Sequence, residues 1–128
     1  MDFIKIGDFY FPILVAITAD EQSQGLMNVP APAPIMVFPF KKAKMRSFWM
    51  ENTPAPLEIL FCRGNKILQI EEGIPLTKKN IVARIASDLV VELPRGLVDS
   101  LGIKIGQNIE IQYSVGKVCK LYEWWYGI

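Results

Sequence analysis

The sequence predicts one mainly β domain with one or two short helices, and three observations carry that reading. Turn signals at short intervals separate runs rich in Val, Ile, Phe and Tyr. The segment "QNIEIQY" alternates cleanly, with Ile109, Ile111 and Tyr113 on one face and Glu110 and Gln112 on the other, the pattern of a sheet with one side in water. The chain has 128 residues and is 51% hydrophobic, enough for one core without metals or disulfides. We divide it into a β-rich domain over residues 1–114 and an aromatic C-terminal tail over residues 115–128.

The elements follow in order. "FYFPILVAIT" reads as a buried strand whose Pro12 suits an edge position or a bulge, because proline cannot donate to a ladder. Thr18 followed by Glu21 is a capping box, and the short helix it opens should end near Gly25. Pro30, Pro32 and Pro34 hold the next stretch extended, as a rigid surface connector before a strand at Ile35 to Phe38. "RGN" at Arg63 to Asn65 is a hairpin turn joining "LEILFC" to "KILQIEE". "VARI" and "LVVELP" read as two more strands, and "RGLVDSLG" as a short helix closed by Gly102.

Composition narrows function. With 14 basic and 13 acidic residues the net charge is +1, and the basic residues are scattered rather than gathered into a stripe, which argues against a nucleic-acid partner. The one dense basic patch, "KKAKMR" at Lys41 to Arg46, reads as a solvated loop, with an anion or partner contact as the alternative. No apolar run is long enough for a membrane span. The N-terminus has Asp2 and an apolar run broken by Gly7, Asp8 and Pro12, unlike a secretory signal, so we expect a cytoplasmic protein or one assembled into a particle such as a virion. Cys62 and Cys119 show no metal spacing and read as buried free thiols, with a single bridge between tail and core as the alternative.

The absence of histidine removes imidazole acid–base chemistry, Ser-His and Cys-His pairs and His-ligated metal. No phosphate-cradling glycine loop or dinucleotide fingerprint is present. The expectation is therefore no catalytic residue, no metal and no cofactor, with an enzyme using Glu58 or Cys62 ranked last.

Two regions stand out. In "SFWMENTPAPLEILFC", Glu58 sits inside an apolar run and shares a strand face with Leu60 and Cys62. A buried carboxylate needs partners, and Arg46, Asn52, Thr53 or turn amides are available in sequence. One reading makes Glu58 a satisfied acid holding the Asn-Thr-Pro turn. The other makes it the floor of a small polar pocket shared with Asn52 and Thr53, with Trp49 and Met50 as walls and Met27 near the mouth. The second region is the tail, where Tyr122, Trp124, Trp125 and Tyr126 either seal one end of the domain or anchor another protein or a second copy of the chain.

The ordered motifs "QGLM", "IMVFPF", "SFWMENTPAPLEILF" and "VVELPRGLVDSLGIKIGQNIEI" resemble the domain of unknown function 192 family of bacteria, archaea and phages. The resemblance runs from about Asp8 to Tyr113 and implies a compact, barrel-like antiparallel or mixed sheet. Glu58 stands where the family usually has Asp, Gln24 stands where a basic residue often precedes Gly-Leu-Met, and the aromatic tail is an addition. "LPRGLVDSLGIKIGQNIEI" alone also resembles AbrB-type swapped-hairpin transcription regulators. Its cations, Arg95 and Lys104, are matched by Asp99 and Glu110, and shared strand, helix and turn physics accounts for the pattern. The functional expectation is a non-catalytic binding or structural module docking on a protein partner through its tail, as in an accessory or virion-associated subunit of a phage-type assembly. The alternative is a domain that binds a small polar or sugar-like ligand at the Asn-Thr-Pro turn.

Overall fold

The computed structural model describes residues 1–126, and the side chains of Tyr122, Trp124, Trp125 and Tyr126 lie outside what it describes. Strands β1 (Phe3–Ile6) and β2 (Phe9–Val15) form an antiparallel hairpin, followed by α1 (Ala19–Gln24) and the long strand β3 (Ile35–Lys44). A two-residue strand β4 (Ser47–Phe48) precedes the hairpin of β5 (Leu57–Arg63) and β6 (Lys66–Gly73). Then come β7 (Ile81–Val82), β8 (Ser87–Pro94), α2 (Leu97–Leu101), β9 (Ile109–Gln112) and α3 (Val115–Tyr126).

Seven strands make one mixed sheet in the order β6-β5-β8-β3-β2-β1-β9, with β2 and β3 its parallel pair. The sheet curls into a half-barrel until its two edges meet: Lys66 bridges Asn108, and the amide of Ile109 donates to Asn65 at 2.9 Å. Gly64 and Asn65, both at positive φ, make the tight hairpin turn that the sequence signals there. Inside the curl lies one apolar cluster, including Ile4, Ile6, Val37, Leu60, Cys62, Val91 and Leu93. A second cluster lies on the outer face of the central strands and includes Phe38, Met50, Leu57, Ile59, Phe61 and Val90. It is roofed by α1 and its following turn and by the small β4-β7 sheet. Strands β5 and β8 and the Ile35–Pro39 part of β3 are thus buried on both faces, which is why they read as mostly apolar runs rather than alternating ones.

Several expectations need correction. Pro12 lies in an interior strand, but Ile13 turns its amide to Asp2, the residue just before β1, so the nitrogen of Pro12 faces the side on which β3 has not yet begun to pair. The strand expected at Ile35 to Phe38 continues to Lys44 past an irregularity after Pro39, so Lys41, Lys42 and Lys44 are exposed strand residues rather than a loop. Of "VARI" only Val82 is strand, as the second residue of β7; the segment is held by Gln69, whose side chain donates to Val82 O at 3.0 Å and accepts from the amide of Arg84 at 2.7 Å. Among the described residues there are three helices rather than one or two, because the tail forms α3. Its Leu121 joins the inner cluster, and Lys120 lies 3.9 Å from Glu21. Both cysteines are free, Cys62 buried and Cys119 exposed. Among the described residues no helix is long and apolar enough to cross a membrane.

Candidate functional site

On the outer face a cavity of about 520 Å³ lies between α1, β3 and the Met45–Trp49 segment. Its construction begins at the capping box: Thr18 Oγ1 accepts from the amide of Glu21 at 3.1 Å, and Glu21 Oε1 accepts from the amide of Thr18 at 2.9 Å. These bonds satisfy the first amides of a helix too short to persist alone. Gln22 then pins α1 to the sheet, its Nε2 donating to Ala16 O at 3.1 Å and Pro39 O at 3.0 Å. The helix ends at Gly25 with φ +48°, a conformation that favours glycine. A Cβ at Gly25 would lie 3.7 Å from Phe38 Cζ and 3.9 Å from Glu92 Oε1, so the chain passes directly over Glu92.

Glu92 is the carboxylate among the residues that line this cavity. It sits on β8 opposite Met36 of β3 on one side and Ile59 of β5 on the other, and is 4% exposed. Burial alone pushes its pKa up to about 7, with no protein donor or cation offsetting the cost. The walls are aromatic. Phe48 packs edge-on against both Phe38 (5.3 Å between centroids) and Phe61 (5.9 Å), and Arg46 lies over the Phe40 ring at 3.4 Å. The Arg46 guanidinium is tied to backbone, donating from Nε to Ser87 O at 3.0 Å and from Nη2 to Lys42 O. Burial holds its pKa below the usual arginine value.

The predicted residues separate into two groups. Met27, Trp49 and Thr53 line the cavity: Met27 is half-buried, Trp49 is 46% exposed at the mouth, and Thr53 is buried with its hydroxyl donated to Glu51 O at 3.2 Å. Met50, Asn52 and Glu58 do not line it. Met50 is core, so close to Gly73 that a Cβ there would lie 2.7 Å from its sulfur. Asn52 is exposed and holds a turn at φ +55°, its carbonyl accepting from the amide of Asn28 at 2.7 Å. That bond joins the turn after α1 to the Asn-Thr-Pro turn. Glu58 is the main correction, because strand alternation puts it on the inner face with Leu60 and Cys62, where its Oε1 accepts from the amide of Val98 at 2.9 Å. Neither Arg46, Asn52 nor Thr53 partners it; it caps the first turn of α2.

Sequence reasoning missed Glu92, and it set Arg46 beside Glu58 or in a solvated loop rather than over the Phe40 ring. "LVVELP" carries the same signal as "LEILFC", a single carboxylate within an apolar run, and attention to both would have found it. Chemically the site offers one carboxyl able to take or release a proton near neutrality, aromatic surface, and a guanidinium already engaged. Cys62 is no nucleophile for it: it lies on the other face of the sheet, with burial pushing its thiol up to about 12. Among the described residues no group of three or more Cys, Asp or Glu is placed to hold a metal ion.

Two solved structures share this architecture. A protein of unknown function from Novosphingobium aromaticivorans is 28% identical, with a TM-score of 0.76 over 85% of this chain and 82% of that one. A candidate transcription regulator from Sinorhizobium meliloti is also 28% identical, with a TM-score of 0.78 over 86% of this chain and 91% of that one. No curated protein matches the chain. Residues 4–111 match DUF192, described as an uncharacterised ACR, so the half-barrel and both faces of its central strands lie within the matched region and the chain belongs to the DUF192 family.

Proposed function

We propose that this protein is a non-catalytic binding domain that takes a small polar, sugar-like ligand into the cavity over Glu92. The observation that carries this reading is the carboxyl of Glu92, 4% exposed, lining a cavity and given no hydrogen bond by the protein among the described residues. Desolvating a carboxylate costs free energy that a bound donor would recover. The cavity volume lies within the range of small-molecule sites, and exposed Trp49 offers a flat ring to the apolar face of a sugar. Thermal unfolding followed by fluorescence, with and without sugars, polyols and small amines, tests it. A midpoint rise that Glu92→Gln removes is expected; no rise with any of them, or a rise unchanged in that variant, rejects the reading.

A second reading, docking of the tail on a partner protein or a second copy as in a larger particle, is favoured by the exposure of Val115 and Val118 on α3. Sedimentation of the parent chain and of Val118→Asp tests docking on a second copy: a larger species in the parent alone supports it, and a monomer in both rejects it.

A further inference from the structure

We infer that the ligand of this cavity carries a positive charge, an ammonium or similar cation seated against the Glu92 carboxylate among the aromatic side chains that line the cavity. The inference rests on the cavity being a ligand site and names the chemical class that site selects.

Three features of the lining point the same way. Glu92 and Arg46 are the two ionisable side chains among the residues that form the cavity, and they are not paired with each other. Arg46 is already occupied: two backbone carbonyls and the Phe40 ring take its charge, and it serves to fold the end of β3 back over the site. An anionic ligand would have to compete with those contacts while approaching an acidic floor. Glu92 has no such commitment. The other acids near the roof are turned elsewhere, Glu21 to the backbone amides of Ile17 and Thr18, and Asp20 to solvent. The strands flanking Glu92 present Met36 and Ile59, which supply neither charge nor donors.

What remains is one acid without a protein partner among the described residues, in a cavity that Phe38, Phe48 and Trp49 also line, the Phe40 ring being taken by Arg46. Ring faces carry negative electrostatic potential and attract cations most where water is excluded. A neutral hydroxyl could also bond to Glu92, but a charge-assisted bond is roughly twice as strong. A cation also stabilises the ionised carboxylate, which burial otherwise opposes. Binding therefore displaces the proton of Glu92 at low pH, and affinity rises as pH rises through about 7.

The experiment uses three six-carbon polyols of similar size: glucamine as the cation, sorbitol as the neutral form and gluconate as the anion. Titration calorimetry of the intact protein with each, from pH 5.5 to 8, keeps the amine charged throughout. Expected is a preference for glucamine over sorbitol of about tenfold. Its affinity should rise about tenfold per unit at the acid end and level off at the alkaline end. In Glu92→Gln, checked for folding by circular dichroism, both the preference and the pH dependence should vanish. Trp49→Ala, at the exposed mouth, should weaken all three and keep the pH profile. Equal binding of sorbitol and glucamine overturns the charge selectivity and leaves the cavity as a ligand site. Preference for gluconate overturns it in favour of Arg46. Heat with none of the three overturns both readings.

Discussion

Glu58 and Glu92 lie on adjacent strands, one register position apart: Glu58 pairs with Leu93, and Glu92 with Ile59. They point to opposite faces of the same sheet and meet different fates. On the inner face α2 packs down and gives Glu58 a backbone amide. On the outer face the roof arches from α1 to the Met45–Trp49 segment, leaving Glu92 beneath a cavity. A carboxylate within an apolar run thus says little about function until its donors are counted, because a satisfied acid is architecture and an unsatisfied one is an invitation to a ligand.

Removing the outer layer altogether breaks the comparison most severely. Phe61→Ala empties a fully buried position beneath Phe48 and should cost about 3–5 kcal/mol, read from urea unfolding. Glu92→Gln comes next. The folded-state pKa of Glu92 is raised from 4.5 to about 7, so the folded state holds the proton more tightly than the unfolded one. Its contribution to stability is fully present below pH 4.5 and is lost as pH rises to about 7, where the penalty reaches about 3 kcal/mol. The variant should lack that slope and be more stable than the parent at pH 8, while the two converge near pH 4. Equal stabilities at pH 8 would mean that Glu92 finds a donor in solution.

Glu58→Ala sharpens the contrast from the other side. It strips the amide of Val98 of its acceptor and should cost about 1–2 kcal/mol in urea unfolding, with ligand affinity unchanged. A loss of binding in this variant would link the two faces. The smallest effect belongs to Trp49→Ala, which should move stability by no more than about 0.5 kcal/mol while weakening ligand retention.

Local chemistry was legible in the sequence and sidedness was not. The capping box at Thr18, the turn at Gly64 and Asn65 and the stop at Gly102 are short-range patterns that the structure contains. So is the alternation of Ile109 to Gln112, because β9 has one wet side. Strands β5 and β8 have none, and a run buried on both faces carries no alternation to show which cluster a given residue joins. The cavity also depends on long-range pairing, with β8 seated between β5 and β3. Arg46 was read as part of a solvated loop because nothing in "KKAKMR" shows that β3 runs through it and folds the arginine onto Phe40.

The meeting of the sheet's edges at Lys66 and Asn108 bears on how this domain can associate. An open sheet advertises unpaired amides and carbonyls that any extended peptide can zip onto, including a sibling chain during synthesis. Here part of that template is spent on the molecule itself, and Gln69 draws the Val82–Arg84 segment along β6. Those backbone groups are already paired within the domain, which leaves fewer of them for another chain to zip onto.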